Sequence, residues 1–378
     1  MEILQIPQGD FRLARYPIRK KELLRAWDAA DEYLLNHFFE ENIQARNLNI
    51  LIVNDNFGAL TTVLSEHDLT AWTDSWLAQE GIKQNLVLND LSVDDIKIKN
   101  SLETPEGDYD VVLIKTPKSL ALLEDQLIRI KPYISKLTKV IAAGMVKSIH
   151  TSTLKLFEKY IGPTKTSFAK KKARLIFSIS NESIVQVKSP YPKTYTLEGT
   201  QYSIQNHANV FSRESLDIGT RFFLQYIPQS EKFKKIIDLG CGNGIVGLIA
   251  AEKNPHAELL FLDESFMAVE SAKENFKAAF KEQRNAEFKA SDSLTGIDKN
   301  SADLILNNPP FHQNNAVGDE VAWQMFKQSK EVLKAEGELW VIGNRHLAYH
   351  IKLKKIFGNC EMIASNKKFV ILKSVKVE

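Results

Sequence analysis

Asn308-Pro309-Pro310-Phe311 is the stretch of the chain best suited to chemistry on a nitrogen atom. Two prolines fix the backbone and remove two donors, so the turn is rigid and presents carbonyl oxygens outward. An exocyclic amine on a base, or an amide nitrogen, is a poor nucleophile because its lone pair is delocalised. The Asn308 side-chain oxygen and the Pro309 carbonyl could accept its two N–H bonds, hold it nearer tetrahedral and aim the lone pair at an electrophile. That is positioning by preorganised acceptors, with no metal and no covalent intermediate. Phe311 can stack on a substrate ring. Upstream stands Ile236-Ile237-Asp238-Leu239-Gly240-Cys241-Gly242-Asn243-Gly244, a strand pattern, an acid and three alternate glycines ahead of a helical pattern. Glycines let the backbone turn sharply and approach a ligand with no Cβ in the way. The spacing excludes a dinucleotide fingerprint, whose third glycine would fall where Ile245 stands, and the Gly-Lys-Ser/Thr of a phosphate loop is absent. The next strand ends at Asp263, 25 residues after Asp238. An acid there can accept from both ribose hydroxyls of a nucleoside, although Asp at a strand end is also a common helix cap.

The elements that must position these residues alternate. Lys235–Leu239, Glu258–Leu262, Ala286–Ala290, Asp303–Leu306 and Glu338–Ile342 read as strands, with Ile245–Lys253, Phe266–Phe280 and Val321–Leu333 helical between them. The first half repeats the alternation, with strands at Asn49–Val53, Asn85–Leu88, Asp110–Ile114 and Lys139–Ala143 and a helix over Leu120–Ile130. Residues 20 to 41 read as an amphipathic helix through Leu23, Leu24, Trp27, Tyr33, Leu34 and Phe38. Lys188-Ser-Pro190-Tyr-Pro192-Lys193 is the natural linker, so the expectation is two α/β domains, 1–188 and 189–378, each a parallel sheet covered by helices on both faces. The halves also resemble one another. Asp110-Val-Val-Leu-Ile-Lys115-Thr-Pro117 stands 193 residues before Asp303-Leu-Ile-Leu-Asn-Asn308-Pro-Pro310, and Gln126–Ala142 parallels Gln328–Ile342, which points to duplication.

Composition narrows the class. At 378 residues, 44% hydrophobic and 25% charged, the chain reads as globular, neither disordered nor collagenous. No apolar run reaches the ~18 residues of a membrane span, and Met1–Asp10 lacks the blocks of a signal peptide. Cys241 and Cys360 alone make no disulfide framework or metal-ligand set, so a cytoplasmic protein without a metal is expected. A net charge of +2 divides evenly between the halves, so any polyanion site must be a local cluster. The candidates are Arg12, Arg15, Arg19, Lys20, Lys21 and Arg25, and then Lys165, Lys170, Lys171, Lys172 and Arg174, which serve equally well as solvated faces.

The glycine segment resembles the first motif of S-adenosylmethionine-dependent methyltransferases. Together with Asp263, Ser291-Asp292-Ser293 and Asn308-Pro-Pro-Phe311-His312 it resembles class I amino methyltransferases. The two-domain length, Val210-Phe-Ser-Arg213 and Leu216-Asp-Ile-Gly219 narrow this to the RsmC/RlmG family of ribosomal RNA guanine-N(2) methyltransferases. The resemblance implies two tandem class I (Rossmann-like) methyltransferase domains, the first degenerate and the second active. It assigns S-adenosyl-L-methionine as cofactor, its methionine end held by Asp238, Gly240, Gly242 and Gly244, its ribose by Asp263, and its adenine amine by Asp292 and Ser293. Asn308, Pro309, Pro310 and Phe311 would be catalytic, Asn308 also touching the cofactor. The implied substrate is the 2-amino group of a guanine, single-stranded or flipped out, in ribosomal RNA. Length and Asn54-Asp-Asn-Phe-Gly58 favour large-subunit (23S) over small-subunit (16S) RNA.

The first half departs from the active pattern: Lys115-Thr-Pro-Lys118 replaces the Asn-Pro-Pro-Phe turn, and of the glycines Gly58 remains. An ammonium donates and cannot accept an amine's hydrogens. That half should neither bind cofactor nor catalyse, and its basic clusters suit RNA docking through phosphates. Two rivals remain. A protein-glutamine methyltransferase would carry Tyr in place of Phe311 and a helical N-terminal domain, and a non-catalytic RNA-binding protein would need neither the glycines nor Asn308. His207 reads as structural, His312 as a gate or contact residue, and Cys241 as a small packed side chain.

Overall fold

The computed structural model describes residues 2–19, 22–41, 47–281, 283–310 and 316–377. Of the residues singled out above, Lys20, Lys21, Phe311 and His312 lie outside them. The chain divides into two units, Met1–Tyr191 and Pro192–Glu378, within the proline-bearing segment.

The first unit opens with an antiparallel hairpin, β1 (Glu2–Ile6) and β2 (Gly9–Leu13), and helix α1 (Ala29–Glu40). There follow β3 (Asn49–Val53), α2 (Ala59–Val63), β4 (Asp68–Thr73), α3 (Trp76–Leu88), β5 (Lys97–Asn100), β6 (Val111–Lys115), α4 (Leu120–Ile130), β7 (Lys139–Met145), α5 (Thr151–Tyr160), β8 (Thr164–Thr166) and β9 (Ala173–Ser178). The second unit repeats this from the hairpin of β10 (Lys193–Thr196) and β11 (Ser203–Asn206), then α6 (Ile218–Leu224), β12 (Lys235–Leu239), α7 (Ile245–Lys253), β13 (Glu258–Asp263), α8 (Phe266–Phe280), β14 (Ala286–Ala290) and β15 (Ala302–Asn307). It ends with α9 (Ala316–Val332), β16 (Leu333–Asn344), α10 (Tyr349–Phe357), β17 (Glu361–Ser365) and β18 (Phe369–Val375).

Both sheets are seven-stranded and share one order, β5-β4-β3-β6-β7-β9-β8 and β14-β13-β12-β15-β16-β18-β17. Each is the doubly wound class I arrangement, with the chain reversing direction across the sheet after its first three strands. Alternate residues of the central strands feed opposite faces. Ile236 joins the core beneath α6, α7 and α8, while Ile237 and Leu239 join that beneath α9 and α10.

Three sequence expectations need correction. The sheets are mixed, because β9 and β18 run against their neighbours. Only three residues join β17 to β18, too few for the crossover that a parallel pair requires. Asn85–Leu88 is the last turn of α3, whose face Ala78, Ile82, Asn85 and Leu86 a four-residue window does not reveal, and the second strand is instead Asp68–Thr73. Helix α1 begins at Ala29, because Asp28 and Asp31 form a capping box there, and Leu23 stands 90% exposed ahead of it.

Candidate active site

The carboxyl ends of β12, β13 and β15 converge where an open α/β sheet binds its ligand. At the end of β12 the three glycines turn the chain into α7, all with positive φ. They do different work. A Cβ on Gly244 would stand 2.7 Å from Ala272 Cβ and 2.9 Å from its Cα, so Gly244 lets α7 approach α8. A Cβ on Gly242 would meet no described atom within 4 Å, which leaves that stretch of backbone room for a ligand.

Asp238 is 2% exposed beneath the loop, where one carboxylate oxygen accepts from Gly247 N–H at 2.7 Å. It thus braces the start of α7. Burial, with Asp263 near, pushes its pKa up to about 7. Asp263 is half-buried; its Oδ2 accepts from Gly242 N–H at 2.9 Å and its Oδ1 from Ser265 N–H at 3.1 Å. It joins the glycine loop to the cap of α8 and keeps lone pairs for a further donor. Burial raises its pKa as well. Asp292 and Ser293 close the next turn, with Asp292 Oδ1 accepting from Gln324 of α9 at 2.8 Å. Cys241 is buried, and burial pushes its thiol well up, so it is packing rather than a nucleophile.

Asn308 follows the last residue of β15. Its Nδ2 donates to Thr220 Oγ1 at 3.2 Å, and its Oδ1 is buried with no partner among the described residues. Thr220 is the third residue of α6, whose cap is Asp217. Asp217 Oδ2 accepts from the Thr220 N–H at 2.8 Å and from its hydroxyl at 3.4 Å. Asn307 is fully buried, donating to the Leu239 carbonyl at 2.7 Å. His207 Nε2 lies 3.2 Å from Glu274, and the His207 backbone N–H donates to Ser271 Oγ, both on α8. Thr220, Asp217 and Asn307 have no site role in the sequence reading, where Asp217 enters only within the Leu216–Gly219 segment of the family resemblance. A hydroxyl at the third position of a capped helix carries no motif, and its role shows only through its contact with Asn308.

Strand registers make the two units comparable residue by residue. Val53 faces Ile114 as Leu239 faces Asn307, which sets Lys115 against Asn308, Asn54 against Gly240 and Gly58 against Gly244. Shared features are architectural. Gly58 also has positive φ, with a Cβ that would sit 2.7 Å from Ile82 Cα. Asn85 and Asn275 each bind the N–H and carbonyl of a residue in or beside the hairpin (Ala14, Gln205) and a loop carbonyl (Phe57, Asn243). The positions that correspond to the candidate site residues differ. Asn54 adopts the left-handed conformation of Gly240, but its side chain fills space to reach the Lys115 carbonyl and Gln126. Lys115 Nζ lies 2.8 Å from Asp28 and 2.6 Å from Asp31, so no acceptor stands where Asn308 offers one. Burial opposes the ammonium, but Asp31 and Asp28 outweigh it and hold its pKa above the ordinary lysine value.

Two family models match the chain, one in each half. Residues 1–182 match the RLMG N-terminal domain and residues 201–373 the methyltransferase small domain. The ribosomal RNA large subunit methyltransferase G of Pseudomonas paraeruginosa is 48% identical over 377 residues, covering 100% of both chains. That of Streptomyces avermitilis is 47% identical over 375 residues, covering 98% of each. This chain belongs to the large subunit methyltransferase G family. A solved structure of the 16S rRNA N2 G1207 methyltransferase of T. thermophilus, in complex with AdoMet and guanosine, superimposes with TM-score 0.75 at 18% identity, covering 99% of this chain and 97% of that one. It shares the fold with this methyltransferase G family member across both units.

The two basic clusters meet on α1. Glu32 accepts from Lys171 at 2.8 Å and from Trp27 Nε1 at 3.1 Å, and lies 3.8 Å from Arg25. Lys170 stands over the Tyr33 ring at 4.9 Å, and Phe168 beside it is 93% exposed, an aromatic that sequence reasoning passed over. Arg12 pairs with Asp90 at 3.2 Å and Arg15 lies 3.9 Å from Glu22, whereas Arg174 is half-buried. Exposed pairs are worth about 0–1 kcal/mol, so Arg12 and Lys171 stay available to phosphate. Among the described residues there is no cluster fit to hold a metal, and no helix is long and apolar enough to cross a membrane.

Proposed function

We propose that this chain transfers a methyl group from S-adenosylmethionine to the exocyclic 2-amino group of a guanine in large-subunit ribosomal RNA, in the cytoplasm. The observation that carries the reading is the buried Oδ1 of Asn308, an acceptor without a donor among the described residues. A guanine amine supplies that donor. The residues present fit the cofactor: Gly242 leaves open space beside the backbone, and Asp263 keeps acceptor capacity toward a ribose. When bound, S-adenosylmethionine supplies an electrophilic methyl on a sulfonium. The chain's own contribution is to position the amine: Asn308 Oδ1 and the Pro309 carbonyl accept its hydrogens and turn its lone pair outward. The methylated, cationic amine then loses a proton to water. Phe311 is assigned to stack on the guanine, and the first unit, with Lys115 at the Asn308 position, to dock RNA through its basic surface.

Tritium transfer from labelled cofactor tests this, using ribosomal RNA that lacks the modification and release factor as rival acceptors, with nucleoside analysis of the product. Label in N2-methylguanosine of large-subunit RNA is expected; label in release factor or in neither overturns the reading. Asn308→Ala should leave cofactor affinity within a few-fold while slowing transfer by about two to three orders of magnitude. Persistent activity would make the turn structural.

A further inference from the structure

We propose that Thr220 sets the orientation of the Asn308 amide and is therefore a positioning residue for methyl transfer; the inference rests on the function proposed above. The two ends of a carboxamide are nearly isosteric, so only the hydrogen-bond partners decide which end points where. The Thr220 hydroxyl has one proton. Asp217 as a carboxylate can only accept, and at 3.4 Å it takes that proton. The hydroxyl lone pairs are then left for a donor, and the Asn308 NH2 supplies it at 3.2 Å. Oδ1 is thereby turned away as the unpartnered acceptor. With the opposite orientation, an NH2 would face the incoming amine, donor against donor.

The first unit is an internal control. Asp31 and Thr220 occupy the same third position of helices capped by Asp28 and Asp217. Asp31 contacts Lys115 at 2.6 Å, just as Thr220 contacts Asn308. The contact between helix start and strand end belongs to the architecture. What differs is its chemistry: an ion pair uses both partners, whereas hydroxyl against amide leaves one acceptor over.

Thr220→Val keeps the shape and removes the hydroxyl. In single-turnover transfer with the full chain it should slow the step about 10- to 100-fold, in the range that misplacing a reacting group costs. Cofactor affinity by calorimetry and the RNA KM should stay within about three-fold. Thr220→Ser, which restores the hydroxyl, should recover most of the rate. In an Asn308→Ala background, Thr220→Val should cost nothing further. Wild-type rates in Thr220→Val, equal losses in Thr220→Ser, or full additivity with Asn308→Ala would each overturn the proposal. A substrate-free readout separates this from failure of the function itself: the Asn308 side-chain amide resonances in chain labelled on asparagine nitrogen. Their displacement by Thr220→Val and not by Thr220→Ser supports the contact. An unmoved signal overturns it, whatever the chain methylates.

Discussion

Replacing Lys115 by methionine should destabilise the first unit out of proportion to the few atoms changed. The ammonium lies between Asp31, whose side chain is 8% exposed, and Asp28, at 46%. Breaking a buried ion pair by removing one partner costs about 3–5 kcal/mol, because the remaining charge is stranded. Half-exposed Asp28 can be rehydrated, and Asp31 can escape by binding a proton, so the low end, about 3 kcal/mol, applies. Hydrogen exchange by mass spectrometry on the full chain reads this locally, as amides of α1 and β6 exchanging roughly two orders of magnitude faster. The pH dependence supplies a sign. Burial, opposed by Lys115 and reinforced by Asp28 and Asp55, raises Asp31 from 3.8 to about 6. A carboxyl with a raised folded pKa binds its proton more tightly in the fold. Its contribution is full below about pH 4 and is lost as pH rises through 6. Without Lys115 that loss extends to higher pH, so Lys115→Met should lie closer to the wild type at pH 5 than at pH 8. A deficit below about 1 kcal/mol, or one constant across that range, would refute the view that this lysine neutralises buried carboxylates.

The glycine loop and the basic surface give two further tests. Gly242→Ala should lower cofactor affinity at least ten-fold while costing about 1–2 kcal/mol of left-handed strain; Gly244→Ala, whose Cβ collides with α8, should cost about 3 kcal/mol in urea unfolding. Normal cofactor affinity in Gly242→Ala would remove that glycine from the site. Changing Lys170, Lys171 and Lys172 to Glu should weaken RNA binding and flatten its salt dependence by about one counterion for each phosphate no longer neutralised, with cofactor affinity unmoved. An unchanged salt slope would return these lysines to the role of solvated surface.

What was legible in the sequence is what short-range pattern encodes. Asn49–Val53 and Lys235–Leu239 are apolar runs ended by turn residues, and both are central strands. The 193-residue offset of Lys115 and Asn308 is borne out by strand register. The misreading at Asn85 has a physical cause: a polar residue on a helix face tied to a hairpin and a loop breaks the apolar period, although its partner Asn275 sits at the same place in α8. The meeting of Arg25 and Lys171 at Glu32, and the pairing of Thr220 with Asn308, join residues remote in the chain. Only the fold brings them together.

The ion cluster around Lys115 constrains which substitutions its positions tolerate. Converting the first unit to the residues of the second would begin with a single substitution. Lys115→Asn, the obvious first step, restores the acceptor but strands Asp28, Asp31 and buried Asp55 without their cation. Neutralising Asp31 first leaves a buried ammonium short of a partner and gains no acceptor. Either order passes through a chain in which a buried charge has lost a partner. Asn54, which holds the Lys115 carbonyl, adds a further change to the path. The cluster therefore ties these positions to one another: Lys115, Asp28 and Asp31 can be exchanged for the neutral residues of the second unit together more readily than one at a time.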